Sequence, residues 1–166
     1  MIGLILCGGE GTRLRGVIPA GFPKTSVRIG GLPVLDYANL AARSAGCTEV
    51  CLLSRPGHGT VAEVGAVRTV RPLETLLVLN GDTLLFGELL VPEIAGLAAV
   101  LGQNRLTSAV EPAYYIVGPQ AKLSGRNIED NKPSLVFDEW PRLKFIDIGT
   151  PEGLAYALED SKRWSS

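Results

Sequence analysis

Five stretches of the chain are almost uninterrupted in apolar residues: Ile2 to Leu6, Val50 to Ser54, Leu76 to Leu79, Tyr114 to Val117 and Leu143 to Ile148. Short apolar runs without polar alternation are what central strands show when both of their faces are covered. Helical spacing fills the intervals. Pro33 is placed for a first helical turn, Leu35, Ala38, Ala42 and Ala45 recur three or four residues apart, and Gly46 is positioned to cap the end. Gly65-Ala66-Val67-Arg68 continues a second helical pattern, and Thr150-Pro151 reads as N-cap and first residue of a last helix through Leu154, Ala155 and Leu158. Strands alternating with helices predict an α/β fold with a mostly parallel sheet and right-handed crossovers, whose ligands sit beyond the carboxyl ends of the strands. Residues Gly118 to Pro133 are polar and mixed and predict no element. No repeat, low-complexity tract or linker interrupts the 166 residues, so a single domain spanning 1–166 is expected.

Composition narrows the function. With 46% hydrophobic residues, a chain of this length buries roughly 70% of its unfolded surface. The formal net charge is −1 and basic residues do not cluster, so no nucleic-acid partner is expected. No apolar stretch reaches the ~20 residues that span a bilayer, and no charged segment precedes a signal-like core; no membrane partner and a cytoplasmic location are expected. Cys7, Cys47 and Cys51 are odd in number and the one histidine, His58, lies between two glycines, so zinc spacing is missing. The cysteines read as small packing residues and His58 as a loop residue.

Candidate chemistry begins at the end of the first apolar run. Cys7-Gly8-Gly9-Glu10-Gly11-Thr12-Arg13-Leu14-Arg15 is a glycine-rich turn followed by arginines. Glycines let backbone N–H groups approach an anion with no Cβ in the way, and an arginine fork adds bidentate charge, so the turn reads as a phosphate cradle. Asp82 follows one apolar run, and Asp147 lies inside another, where an unpaired carboxylate is costly and calls for a metal or a donor.

Residues Leu6 to Leu14, with Pro23-Lys24 and Gly31-Leu32-Pro33-Val34-Leu35 after them, resemble the N-terminal signature of the sugar-phosphate nucleotidyltransferases, or NDP-sugar pyrophosphorylases. Cysteine stands where alanine is usual. Asn80-Gly81-Asp82 looks like that family's first metal-binding aspartate, and Phe145-Ile146-Asp147-Ile148-Gly149-Thr150-Pro151 like the second. The ending is closest to the branch that makes GDP-mannose and GDP-heptose, the mannose-1-phosphate and heptose-1-phosphate guanylyltransferases, here shortened. The resemblance implies a three-layer, Rossmann-like nucleotidyltransferase fold. It implies transfer of a nucleotidyl group from an NTP, with GTP the guess, to a sugar-1-phosphate, releasing pyrophosphate. It implies Mg²⁺ on Asp82 and Asp147, Arg13 on the β/γ-phosphates, and Lys24 at the α-phosphate and the incoming sugar phosphate. Leu6, Gly8, Gly9, Gly11, Thr12, Arg13, Gly59, Thr60, Gly81 and Asp82 would line the nucleotide site. A homo-oligomer stays open.

Departures matter as well. The family's glutamate-lysine-proline segment, which holds the sugar phosphate, is not recognisable; Glu111-Pro112 stands without the lysine, so Lys24 would carry more of the charge, and a fast enzyme would imply another residue such as Lys122 or Lys132 in the missing role. That gap keeps open weak activity, or a nucleotide-binding regulatory homologue without turnover. A molybdopterin-type guanylyltransferase is a further alternative, against which the proline-lysine pair speaks. A dinucleotide oxidoreductase is disfavoured because the second strand ends at Leu53-Ser54 with no acidic residue.

Overall fold

The computed structural model describes residues 1–9, 11–54, 59–140 and 142–164. His58 lies outside the described residues. Along the chain run β1 (Ile2–Leu6), a small hairpin of β2 (Arg28–Ile29) and β3 (Leu32–Pro33), α1 (Val34–Ser44), β4 (Glu49–Leu53), α2 (Thr60–Val70), β5 (Leu76–Asn80), β6 (Thr83–Phe86), β7 (Leu97–Asn104), β8 (Val110–Val117), β9 (Leu135–Asp138), β10 (Lys144–Asp147) and α3 (Pro151–Ser161). The main sheet has the order β4-β1-β5-β8-β7-β10-β6, with β9 also on β7.

The predicted α/β architecture is observed. β1 lies between β4 and β5 and is parallel to both, β10 and β9 run parallel to β7, while β8 and β6 enter antiparallel. Pleat alternation builds the three layers. Ile2, Leu4, Leu76 and Val78 face one way, against Val64 of α2. Leu77 and Leu79 face the other way, with Ala42 of α1 and Tyr114 and Ile116 of β8. At Gly3 an added Cβ would stand 3.0 Å from that of Ala42, so α1 lies directly on β1. Leu4, Ile5, Leu77 and Leu79 are fully buried, worth about 1.5–3 kcal/mol each.

Helix ends follow the sequence closely. Thr150 Oγ1 accepts from Gly153 N at 3.1 Å, with Pro151 beginning α3. Gly46 N donates to Arg43 O at 3.0 Å beyond α1. Pro33 falls one place earlier than expected, as the last residue of β3 before α1 begins at Val34.

One edge of β7 carries two strands end to end. β9 pairs with Ala98 to Leu101, and β10 with Gln103 and Asn104. The connection between them is tied at both ends: Glu139 N donates to Leu101 O (3.2 Å), Gln103 N to Leu143 O (3.0 Å) and Leu143 N to Glu139 O (2.9 Å). Gly102 fills the gap, where a Cβ would stand 3.2 Å from both Ala113 and Leu143.

The chain's end is fastened across the sheet. Arg105, just past β7, grips Asp160 of α3 bidentately (Nη1 to Oδ2 2.8 Å, Nη2 to Oδ1 3.0 Å). Trp164 Nε1 donates to Asp160 Oδ2 at 2.9 Å and packs edge-on against Phe86 and Tyr37. The Arg105 guanidinium lies 4.7 Å over the Phe86 ring. Asp160 is buried, so truncating it strands a guanidinium. Asp160→Ala should cost about 2–4 kcal/mol in denaturant unfolding, whereas removing the exposed pair Lys162–Glu159 should leave the transition almost unmoved.

Candidate functional site

The site forms where β1, β5 and β10 end. β1 runs past Gly8 and Gly9 into a 3-10 turn, Thr12–Leu14. Leu14, fully buried, anchors that turn, and Leu14 N donates to Gly11 O at 2.9 Å. The strand ends are stitched by backbone bonds, Cys7 N to Leu53 O at 2.7 Å and Gly81 N to Leu6 O at 3.0 Å. Lys24 opens a second 3-10 turn after Pro23. Its Nζ reaches over Gly9, where a Cβ would lie 2.7 Å away, and makes an ion pair with Asp82 Oδ2.

Asp82 occupies the two-residue step between β5 and β6. Asp147 ends β10 opposite Thr83, and Ile148 N donates to Asp82 O at 3.0 Å, so the aspartates are held side by side. Asp147 Oδ1 accepts from Gly149 N at 2.7 Å. A Cβ at Gly149 would be 2.8 Å from Asp82 Oδ2, 2.9 Å from Asp147 Oδ1 and 3.2 Å from Arg13 Nη2. Only glycine leaves that space open. Arg13, Lys24, Asp82 and Asp147, from four separate parts of the chain, thus converge.

Burial first, and then the charge of Asp82, push the Asp147 carboxyl above its ordinary range; the Gly149 N–H, Arg13 and Lys24 oppose the shift. Two carboxylates crowded together and partly desolvated are an oxygen donor set that a hard divalent cation relieves. Mg²⁺ is usually held by one or two carboxylates plus substrate phosphates, so these residues fit it. Among the described residues no group of three or more His, Cys, Asp or Glu could hold a metal.

The four charged groups line a cavity of about 650 Å³, together with Leu6, Gly8, Gly9, Gly59 and Thr60. Gly11, Thr12 and Gly81 are not on its wall. Gly11 lines a neighbouring cavity with Arg15, and Gly81 packs against Cys7 Sγ and Leu6 O, where a Cβ would be 3.1 Å from each. The Cys7 thiol, raised to about 11 chiefly by burial and then by Asp82, stays protonated and packs.

Glu63, Asn80, Arg126, Asn127 and Glu129 also line the cavity, and none was expected there. Arg126 to Glu129 come from the stretch that predicts no element. Its order is supplied by hydrogen bonds, local and long-range: Asn127 and Asp130 form a capping box around a 3-10 turn, Thr60 Oγ1 accepts from Ile128 N at 2.6 Å, and Val61 N donates to Arg126 O at 3.1 Å. Gly59, at φ 78°, meets the Arg126 carbonyl where a side chain would clash. The Asn-to-Asp spacing of the capping box is the signal that points to this turn. Lys122 and Lys132 are exposed and do not line the cavity, so neither replaces the missing lysine there.

Because Asp147 holds its proton to higher pH in the folded protein than in the unfolded chain, stability falls as pH rises from the ordinary carboxylate value through the raised one. Asp147→Asn removes the charge and keeps an oxygen for Gly149 N. Without metal, thermal scans at pH 7 should place the variant above wild type, and the difference should close as pH falls through the ordinary carboxylate range.

No protein-family model matches the sequence, and no curated protein matches it. Solved structures do match in shape. A Bacillus anthracis protein provisionally assigned as a glucose-1-phosphate thymidylyltransferase, in complex with a sucrose, is 14% identical with a TM-score of 0.71, covering 98% of this chain and 96% of that one. A UDP-glucose pyrophosphorylase complexed with UDP-glucose is 15% identical with a TM-score of 0.69, over 99% and 98% of the two chains. HddC from Yersinia pseudotuberculosis, complexed with GMP-PN, is 18% identical with a TM-score of 0.65, over 96% and 98%. At these identities the likeness is one of architecture: the chain has the fold of the sugar-phosphate nucleotidyltransferases.

Proposed function

We propose that the chain transfers a nucleotidyl group from an NTP, with GTP the first candidate, to a sugar-1-phosphate and releases pyrophosphate. The observation that carries this reading is the convergence of Arg13, Lys24, Asp82 and Asp147 around the side-chain-free space at Gly149, on the wall of a polar cavity beside a glycine turn. The fold and the resemblance of the turn support the same class.

In such a transfer an oxygen of the sugar phosphate attacks the α-phosphorus, a new P–O–P bond forms, and the α–β bond breaks as pyrophosphate leaves. Two polyanions must meet, so charge neutralisation and alignment are the main tasks. The Gly8-Gly9 backbone approaches the phosphates, and Arg13 holds the leaving β/γ end. Lys24, balanced against Asp82 in this structure, turns to the α-phosphate. Asp82 and Asp147 would hold Mg²⁺, which neutralises phosphate charge when bound.

Three variants test the assignment in a pyrophosphate-release assay with Mg²⁺, each NTP and a panel of sugar-1-phosphates. Asp82→Asn and Asp147→Asn should each lose at least ~10²–10³-fold in turnover. Lys24→Ala should lose at least ~10²-fold. Arg13→Ala should weaken calorimetric NTP affinity by roughly 10-fold, the scale of one charge-assisted contact. Near-wild-type turnover in both aspartate variants would overturn the metal assignment. NTP binding with no pyrophosphate from any acceptor would favour a regulatory homologue.

A further inference from the structure

We propose that β9 is an interaction edge whose occupant is the β9 of a second copy of this chain, the two strands pairing antiparallel about a two-fold axis at Val136. β9 and β10 share one edge of β7, but only β10 is covered further out, by β6. Among the described residues no strand lies on the outer edge of β9, so the sheet ends there in a step. Ser134 N donates to Leu97 O at 2.8 Å. Backbone groups alternate sides along a strand, so Ser134, Val136 and Asp138 turn theirs to β7, while Leu135 and Phe137 turn theirs outward. An open edge is a template for another chain, and proteins blunt theirs with lysine, proline or charge. Here Lys132 and Pro133 guard only the start of the strand, and the exposed positions within it include Leu135 at 48% and Val136 at 56%. Being neighbours, these two face opposite ways, so apolar surface flanks the open edge on both sides.

The strand is complementary to itself in one register, which selects a second copy as the occupant. With Val136 opposite the partner's Val136, Leu135 meets the partner's Phe137 and Ser134 meets the partner's Asp138. The outward residues Leu135 and Phe137 then form the hydrogen-bonded pairs, and Val136 forms a non-hydrogen-bonded pair on the axis. The ladder ends at Pro133, which has no N–H to give. On the face of Val136, Lys132 lies diagonal to the partner's Asp138, within reach of a long side chain, and both are exposed. The two Asp138 carboxylates stand four strand positions apart and do not meet. Sliding by one residue mismatches the outward backbone groups. Sliding by two sets Phe137 against the partner's Pro133, or Leu135 against the partner's Glu139. Opposite charge at the ends and apolar side chains at the centre therefore favour this one pairing.

Sedimentation of the full chain tests this. Wild type should show a reversible monomer–dimer equilibrium, half-associated at roughly 100 μM, because so short a ladder buries less than the ~1,200 Å² of a standard interface. Val136→Lys sets two ammonium groups face to face on the axis and should weaken association at least roughly 10-fold, with the unfolding midpoint of the dilute monomer unchanged. Leu52→Lys, at an exposed position of β4 on the opposite end of the sheet, should leave association as it is. Cross-linking reads the register. Opposed Cα atoms of a non-hydrogen-bonded pair are about 4.5 Å apart, within disulfide range. Mild oxidation should therefore join Val136→Cys into a covalent dimer, while Asp138→Cys and wild type, with its own Cys7, Cys47 and Cys51, should stay as single chains on a non-reducing gel. A wild type that remains monomeric up to about 1 mM overturns the proposal. So does association that Leu52→Lys abolishes and Val136→Lys does not, or equal cross-linking at positions 136 and 138. None of these outcomes depends on nucleotidyl transfer.

Discussion

The arrangement turns on a conflict of charge at the sheet's carboxyl ends. Asp82 Oδ2 and Asp147 Oδ1 both lie within 2.9 Å of the point a Gly149 side chain would occupy. Such a pair is unfavourable alone, and three neighbouring groups relieve it. Lys24 pairs with Asp82, Arg13 approaches from the glycine turn, and the Gly149 amide donates to Asp147. Two cations balance two anions, so the fold tolerates the pair without metal. Supplied with a polyanion and a divalent ion, the same groups would have new partners to meet, and the proposed transfer rests on that exchange.

Much of this was legible because it depends on local chemistry. The glycine turn, the aspartates and the helix caps use residue types whose backbone or charge behaviour shows at short range. β1 and β5 were visible as continuous apolar runs because both faces are covered. β7 was not: alanines, a glycine, Gln103 and Asn104 dilute its pattern, and its burial is supplied by neighbours on both edges. β6 was hidden because it follows β5 after only Gly81 and Asp82, a step that reads as a turn into a loop. β9 is largely exposed and carries no core signal.

The part of the cavity wall formed by Arg126, Asn127 and Glu129 was hard to read for a different reason. Its order comes from hydrogen bonds between segments far apart in sequence, Thr60 to Ile128 and Val61 to Arg126. A polar segment held in this way looks like a loop until its partner is known. Glu111 was noticed as a glutamate lacking its lysine, but the buried Asn104 whose Nδ2 donates to its carboxylate lies across a hairpin whose first strand was unread.

The shared edge of β7 has a consequence for how the chain can vary. β10 carries Asp147, and its register is set by the short hydrogen-bonded connection from Glu139 to Leu143 after β9. Side chains on a strand alternate faces, so a one-residue insertion there that slipped β10 along β7 would turn Asp147 away from Asp82 while leaving the sheet intact. The connection between Arg15 and Pro23 lies mostly at the surface and sets no strand register, so it can lengthen without that penalty. Length changes in this fold are thus unequal by position: one short link acts as a ruler for the corner where Asp82 and Asp147 meet, and the chain's freedom to diverge lies elsewhere.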